Sequence, residues 1–187
     1  MAVVPVPFTW VAGSAPSAAT LNGSTGPKGG LDFLLSPPRA FAYQSTGVSV
    51  ASGTSTEILM TFDAEQWDTD TTAMHSTASS TSRVIAITPG LYSVNYQVCF
   101  PANATGVRYT VLRKNAGGAS GGGTALNFAR QQAASATGAS YVGNTIDVSL
   151  AANDYLELFA LQNSGGSLTT STGITGTYLQ MRWVASS

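Results

Sequence analysis

Arg83-Val84-Ile85-Ala86-Ile87-Thr88-Pro89-Gly90-Leu91-Tyr92-Ser93-Val94-Asn95-Tyr96-Gln97-Val98-Cys99-Phe100 holds two β-rich runs on either side of a Pro-Gly turn signal. Its Val, Ile and Tyr residues suit a pleated, half-buried surface. Neither run sustains the period of about 3.6 residues that a helix requires. Cys99 is the only cysteine in the chain. It therefore allows no intrachain disulfide, no paired-cysteine motif and no cysteine zinc site, and it reads as a small buried hydrophobe.

The same texture extends both ways from this stretch. Upstream, Phe41 and Tyr43, then Val48 and Val50, alternate with small or polar residues, and 57–62 is a further apolar run. Downstream come 107–112, 126–131, 141–150, 155–161, 168–170 and 177–184, with a Gly-rich loop at 116–123. About ten short segments at spacings of roughly 8–15 residues predict an all-β sandwich or barrel over 39–187. Residues 1–38 differ. Pro5, Pro7, Pro37 and Pro38 break any regular element, leaving room for helical turns at 17–21 and 32–35. The two Gly-X-Y triplets at 23–29 stop too soon for a collagen helix and read as a turn. A segment this apolar and this broken cannot build its own core, so it is expected to dock on something else.

Charge is scarce. The 187 residues carry 8 Lys+Arg and 9 Asp+Glu, or 9% charged, against about 25% in an ordinary soluble domain. There are 45 Ser and Thr. A net charge of −1 offers no field for a phosphate backbone, so no nucleic-acid partner is expected. No apolar run approaches the roughly 18 residues of a membrane span, and no secretory signal is visible at 1–7. With 43% hydrophobic residues the chain is expected to fold.

Four motifs in order resemble the globular head of the first complement component, a jelly roll of the tumour necrosis factor superfamily. Phe41 stands at the first strand, and Pro89-Gly90-Leu91-Tyr92 is similar to the family's "P-G-x-Y". Asn153-Asp154-Tyr155-Leu156-Glu157-Leu158 looks like its "G-D-x-V-x-L" strand, with Asn for Gly. Gly176-Thr177-Tyr178-Leu179 stands where the closing "F-x-G-x-L" strand falls. A narrower resemblance is to bacteriophage minor tail and fibre proteins. Phe8-Thr9-Trp10-Val11-Ala12-Gly13, Ala18-Ala19-Thr20-Leu21-Asn22 and residues 32–39 look like their N-terminal attachment segment, although Gly23 to Gly30 replaces the usual charged helix.

These resemblances imply a jelly-roll sandwich of about ten strands carried by a mostly irregular arm. They also imply a homotrimer with Phe41, Tyr92, Tyr96, Phe159 and Tyr178 in its interfaces, although each of these aromatics reads equally well as core. Virion attachment falls to Phe8, Trp10, Leu21, Phe33, Leu34 and Leu35. The expected role is a structural virion protein of a tailed phage, made in the host cytoplasm, on the tail and used in host adsorption. A capsid decoration or head fibre is the alternative, and a bacterial lectin or adhesin a third.

Candidates for chemistry are few. His75 is the only histidine, and no G-x-S-x-G elbow accompanies it, so no catalytic residue is assigned. Asp63, Glu65, Asp68 and Asp70 gather in eight residues. They are a possible Ca²⁺ set without EF-hand spacing, and one loop offers no facing partner for a glycosidase pair. The Gly-rich loop lacks the Gly-Lys-Ser/Thr of a phosphate cradle, and no cofactor is expected. Trp67, Asp68, Asp70, Met74 and His75, with loop 116–124, are the expected surface for host glycan, the Trp stacking on a sugar face and the acids accepting hydroxyl hydrogens.

Overall fold

The computed structural model describes residues 36–70 and 72–186. The expected helical turns at 17–21 and 32–35, and all six attachment residues (Phe8, Trp10, Leu21, Phe33, Leu34 and Leu35), lie outside the described residues. Twelve strands follow in order: β1 (Arg39–Tyr43), β2 (Ser49–Val50), β3 (Gly53–Leu59), β4 (Ala64–Asp68), β5 (Arg83–Ile85), β6 (Gly90–Phe100), β7 (Val107–Lys114), β8 (Thr124–Gln132), β9 (Ser140–Leu150), β10 (Tyr155–Gln162), β11 (Leu168–Thr169) and β12 (Tyr178–Ala185). Among the described residues there is no helix.

Strand β6 sets the frame. Tyr92, Val94, Tyr96 and Val98 are buried while Leu91, Ser93, Asn95 and Gln97 between them are half-buried, the period of a strand with one face on the core. It pairs antiparallel along its whole length with β9, from Gly90↔Leu150 to Phe100↔Ser140, and on its other side with β12. The result is a five-stranded sheet in the order β4-β1-β12-β6-β9, facing a four-stranded sheet in the order β5-β10-β7-β8. Tyr92, Val94, Tyr96, Leu179 and Met181 of the first sheet meet Val84, Leu112, Leu156 and Leu158 of the second in one core. The molecule is an all-β sandwich, one of the two architectures the strand spacing predicted, and its jelly-roll form is the one the resemblance implied.

Strand β10 shows no alternation because both of its faces are covered. Leu156, Leu158 and Ala160 belong to the sandwich interior, whereas Phe159 and Leu161 lie in a second cluster with Val111 and Ala116. Two expectations need correction. Strand β4 falls inside the segment read as a loop, as an edge strand paired to β1. The run at 57–62 is strand only as far as Leu59, after which Met60 and Phe62 turn into the core.

Candidate functional site

The outward face of the five-stranded sheet carries the surface best suited to recognition. Ala40, Ala42, Leu179 and Met181 point inward, so Phe41, Tyr43, Tyr178 and Gln180 point outward. Phe41 stacks on Tyr178 at 5.0 Å between ring centroids and meets Trp67 at 5.7 Å and Tyr43 at 6.4 Å. The Arg39 guanidinium caps Trp67 at 5.1 Å. Beyond this aromatic strip the face continues through Ser93, Asn95, Gln97, Gly143 and Thr145, and charge enters it only at Arg39, Arg182 and Asp147. The Tyr178 hydroxyl donates to Asn95 Oδ1 at 3.2 Å, tying the strip to the polar part.

The five aromatics expected at interfaces or core divide cleanly. Phe41 and Tyr178 belong to this outward strip. Tyr92 and Tyr96 fill the sandwich, and Phe159 lies fully buried on the far side of the second sheet. Burial raises the Tyr96 hydroxyl to about 12, so it stays a neutral donor, bonded to Asn127 Oδ1 at 2.6 Å. Of the two readings, interface or core, Tyr92, Tyr96 and Phe159 take the second, each being at most 1% exposed.

The expected glycan surface is not assembled either. Residues 72–82 fold back against β4. The Met74 carbonyl accepts the Ile85 N–H at 2.7 Å, and the Thr81 carbonyl accepts that of Phe62 at 2.8 Å. Met74 is thereby driven into the core, fully buried. His75 is buried beside it, with Nδ1 2.7 Å from Glu65 Oε1 and Nε2 3.2 Å from the Thr81 carbonyl. Asp68 Oδ2 accepts the His75 backbone N–H at 2.9 Å, and its Oδ1 is buried without a hydrogen-bond partner. Burial holds the Asp68 carboxyl above its ordinary range, against the His75 and Met74 amides that favour its charge, with the Glu65 charge adding to the rise. Asp70 accepts from the Thr88 hydroxyl at 3.3 Å. Asp68, Met74 and His75 therefore fasten a loop to the sheet, and only Trp67 joins the outward face. Trp67→Ala is expected to cost about 1.5 kcal/mol of unfolding free energy through lost cover on Phe41, read from urea denaturation.

The four clustered acids do not converge. Among the described residues no three His, Cys, Asp or Glu side chains stand together as a metal site. Asp63 faces away from Glu65 and Asp68 toward the turn after β1, accepting from Ser45 Oγ at 2.8 Å and from the Thr46 N–H at 3.3 Å. Partial burial disfavours its charge, but the hydrogen bonds from Ser45 and Thr46 outweigh that and hold it at about 2. A carboxyl lowered in the folded state stabilises it above the ordinary value of 3.8 and loses that contribution as pH falls toward about 2. Asp63→Asn is expected to flatten the stability profile across that window, measured by urea titration at stepped pH.

The Gly-rich loop was expected to face a receptor, and instead it is clamped onto the second sheet. Glu57 receives Arg113 through two nitrogens, Nε at 2.7 Å and Nη2 at 2.6 Å, and accepts the Gly121 N–H at 3.1 Å. Glu157, fully buried in β10, accepts from Ser82 Oγ at 3.1 Å, Arg83 Nε at 3.0 Å and the Gly118 N–H at 2.9 Å. Gly118 and Gly121 take φ of +75° and +73°, which aims their amides inward at the two carboxylates. The loop thus roofs Phe159. Sequence reading missed this clamp, although an isolated acid inside the apolar run 155–162 was its signal, since a buried carboxylate has to be paired.

No protein-family model matches the chain, and no curated protein sequence does. Solved structures match it in fold. The globular domain of zebrafish complement 1qA protein superimposes with a TM-score of 0.52 at 10% identity, over 80% of this chain and 99% of that one. Eiger TNF from S. frugiperda gives 0.57 at 16% identity, over 80% and 94%. Murine APRIL gives 0.54 at 13% identity, over 78% and 99%. At such identities the likeness is one of fold, and the chain folds as a jelly roll of the complement-head and tumour necrosis factor kind.

Proposed function

We propose that the protein is a non-enzymatic structural component of a tailed-phage virion, a trimeric minor tail or fibre protein that takes part in host adsorption. The observation that carries the trimer is the outward face of the five-stranded sheet. It offers an aromatic strip beside neutral Ser, Asn, Gln and Thr side chains, with only Arg39, Arg182 and Asp147 charged. Such a face is buried without stripping water from many ions, a cost of several kcal/mol for each. The phage assignment rests on the attachment-like motifs in residues 8–39 together with the jelly-roll fold that follows them.

Mass in solution tests the assembly: three times 19.1 kDa is expected, and a stable monomer rejects it. Electron microscopy of virions carrying a tagged copy tests the place. Label on the tail supports the reading, and label on the capsid replaces it by a shell decoration.

A further inference from the structure

Strand β1 starts and β12 finishes toward the Gly90–Leu150 end of the sandwich. The opposite, Phe100–Ser140 end is built by five loops, 44–48, 101–106, 133–139, 163–167 and 170–177. None of them contains a charged residue, and apart from glycine they are mostly Ser, Thr, Ala and Asn. The charges that come near are engaged: Asp63 accepts from Ser45 and Thr46, and Arg130 lies over the Tyr109 ring on the second sheet. These loops are nevertheless fastened from below by buried polar side chains, which are tolerated in the interior only when bonded. Arg108, fully buried, donates to the Asn103 and Thr105 carbonyls at 3.2 and 2.9 Å. Ser140 Oγ accepts the Ala134 N–H at 3.1 Å. Gln162 donates to the Gly166 carbonyl at 2.7 Å and accepts the Ser164 N–H at 2.7 Å. Gln44 Oε1 accepts from the Thr170 hydroxyl at 2.6 Å, and Thr170 Oγ1 accepts the Val48 N–H at 2.9 Å. The end surface is thus preformed, and little ordering cost remains when a ligand binds.

We propose that this end of the protein binds an uncharged oligosaccharide, with the Tyr141 ring as apolar platform and the exposed hydroxyls of Thr172 and Thr175 as polar contacts. Tyr141 pairs with Cys99 at the start of β9 and is 54% exposed. Gly143 follows it on the same face, where a Cβ would collide with the Tyr96 carbonyl, so no side chain crowds the ring from that side. Gln97, opposite Gly143, donates to the Thr175 and Gly176 carbonyls at 3.0 and 2.8 Å and holds loop 170–177 against β6. The ligand class follows from what the loops lack. An anion meets no cation in them. A protein partner finds only Ile174 as a large exposed hydrophobic besides Tyr141, whereas interfaces depend on clustered aromatic and Arg anchors. A neutral sugar needs fixed hydrogen-bonding groups and one flat apolar face, and both are present. The inference rests on the adsorption reading for the source of the sugar, a host cell surface, and takes its chemistry from the loops alone.

The test passes the purified full chain over immobilised oligosaccharides of glucose, galactose, rhamnose and N-acetylglucosamine, alongside carboxylated and sulfated ones. Retention on at least one uncharged probe is expected, unchanged between about 0.1 and 0.5 M salt because no ion pair contributes. Tyr141→Ala is expected to weaken it about tenfold through loss of the aromatic contact. Thr172→Glu with Thr175→Glu is expected to weaken it as well, without touching the platform. Phe128→Ala removes a comparably exposed aromatic from β8 and should leave retention unchanged. Retention on acidic probes alone, or on none, overturns the proposal, as does full binding by Tyr141→Ala or equal weakening by Phe128→Ala. A protein that binds the sugar yet is labelled on the capsid keeps this site and loses the adsorption reading. One labelled on the tail that binds no probe does the reverse.

Discussion

Glu157→Ala is expected to lower the unfolding free energy by about 3 kcal/mol, the lower end of the range for removing one partner of a buried ion pair. The carboxylate is fully buried in the second sheet and holds three donors from two separate segments, the adjacent Ser82 and Arg83 and, in the Gly-rich loop, Gly118. Removing it leaves a buried hydroxyl and a backbone amide unpaired. Arg83 limits the loss, because its side chain is 33% exposed and regains water. For a domain of this size 1 kcal/mol moves Tm by roughly 2–4 °C, so a fall of about 6–12 °C is expected in a thermal scan. Glu157→Gln keeps one acceptor oxygen, enough for the Gly118 amide or for Ser82 but not for both, and loses the charge opposite Arg83, so about half the effect should remain. Amide exchange in 116–123 should rise most in Glu157→Ala, because the loop there loses the acceptor of the Gly118 amide. A change in Tm below 2 °C in Glu157→Ala would show that the loop is held without Glu157, by Glu57, Arg113 and the Tyr155 hydroxyl.

The parts of the fold that were legible in the sequence are those whose burial has a period. Strand β6 reads plainly because one face meets the core and the other does not, and its partners β9 and β12 follow the same rule less strictly. Strand β4 was hidden by a bulge. Phe41 pairs with Trp67 but Ala42 pairs with Glu65, so Gln66 is an extra residue. The bulge turns Trp67 outward while Glu65 still reaches inward to His75. Simple alternation would put both on one side. Met74 and His75 were misread for a related reason: in a loop, no spacing tells which residue is folded under the sheet, and a polar neighbourhood of Ser and Thr argues for the surface. Phe159 was ambiguous because a strand roofed by a loop carries apolar residues on both faces, and the roof is specified by Glu57 and Arg113, 56 positions apart.

Low charge density takes on a local meaning in this frame. The ions that are present are mostly spent inside the protomer. Glu57 with Arg113, Glu157 with Arg83 and Asp154 with Lys114 brace the second sheet, and Glu65 with His75 braces the folded-back loop. The outward face of the five-stranded sheet is left nearly neutral. Two surfaces of one sandwich are therefore chemically unlike: one carries the paired ions and the glycine loop, with Phe128 exposed on its β8 edge, and the other is aromatic and weakly charged. That asymmetry, more than the overall composition, favours association through the five-stranded side.

Tyr43→Asp is expected to convert the proposed trimer to single chains. Tyr43 is half-buried at the end of the aromatic strip, 6.4 Å from the Phe41 ring, so an acid there remains hydrated in a single chain. Association about a three-fold axis would instead remove three such carboxylates from water and bring them toward one another. Each desolvation costs several kcal/mol and no cation of the face lies beside Tyr43, Arg39 being engaged over Trp67. The mass in solution should drop from three times 19.1 kDa to 19.1 kDa, while the far-ultraviolet spectrum keeps its β character. Tyr43→Phe retains the ring and should remain trimeric, which separates charge from loss of packing. If Tyr43→Asp keeps the trimeric mass, the strip end of the sheet is not in the contact, and the aromatics Phe41, Tyr43, Trp67 and Tyr178 serve only to cover one another.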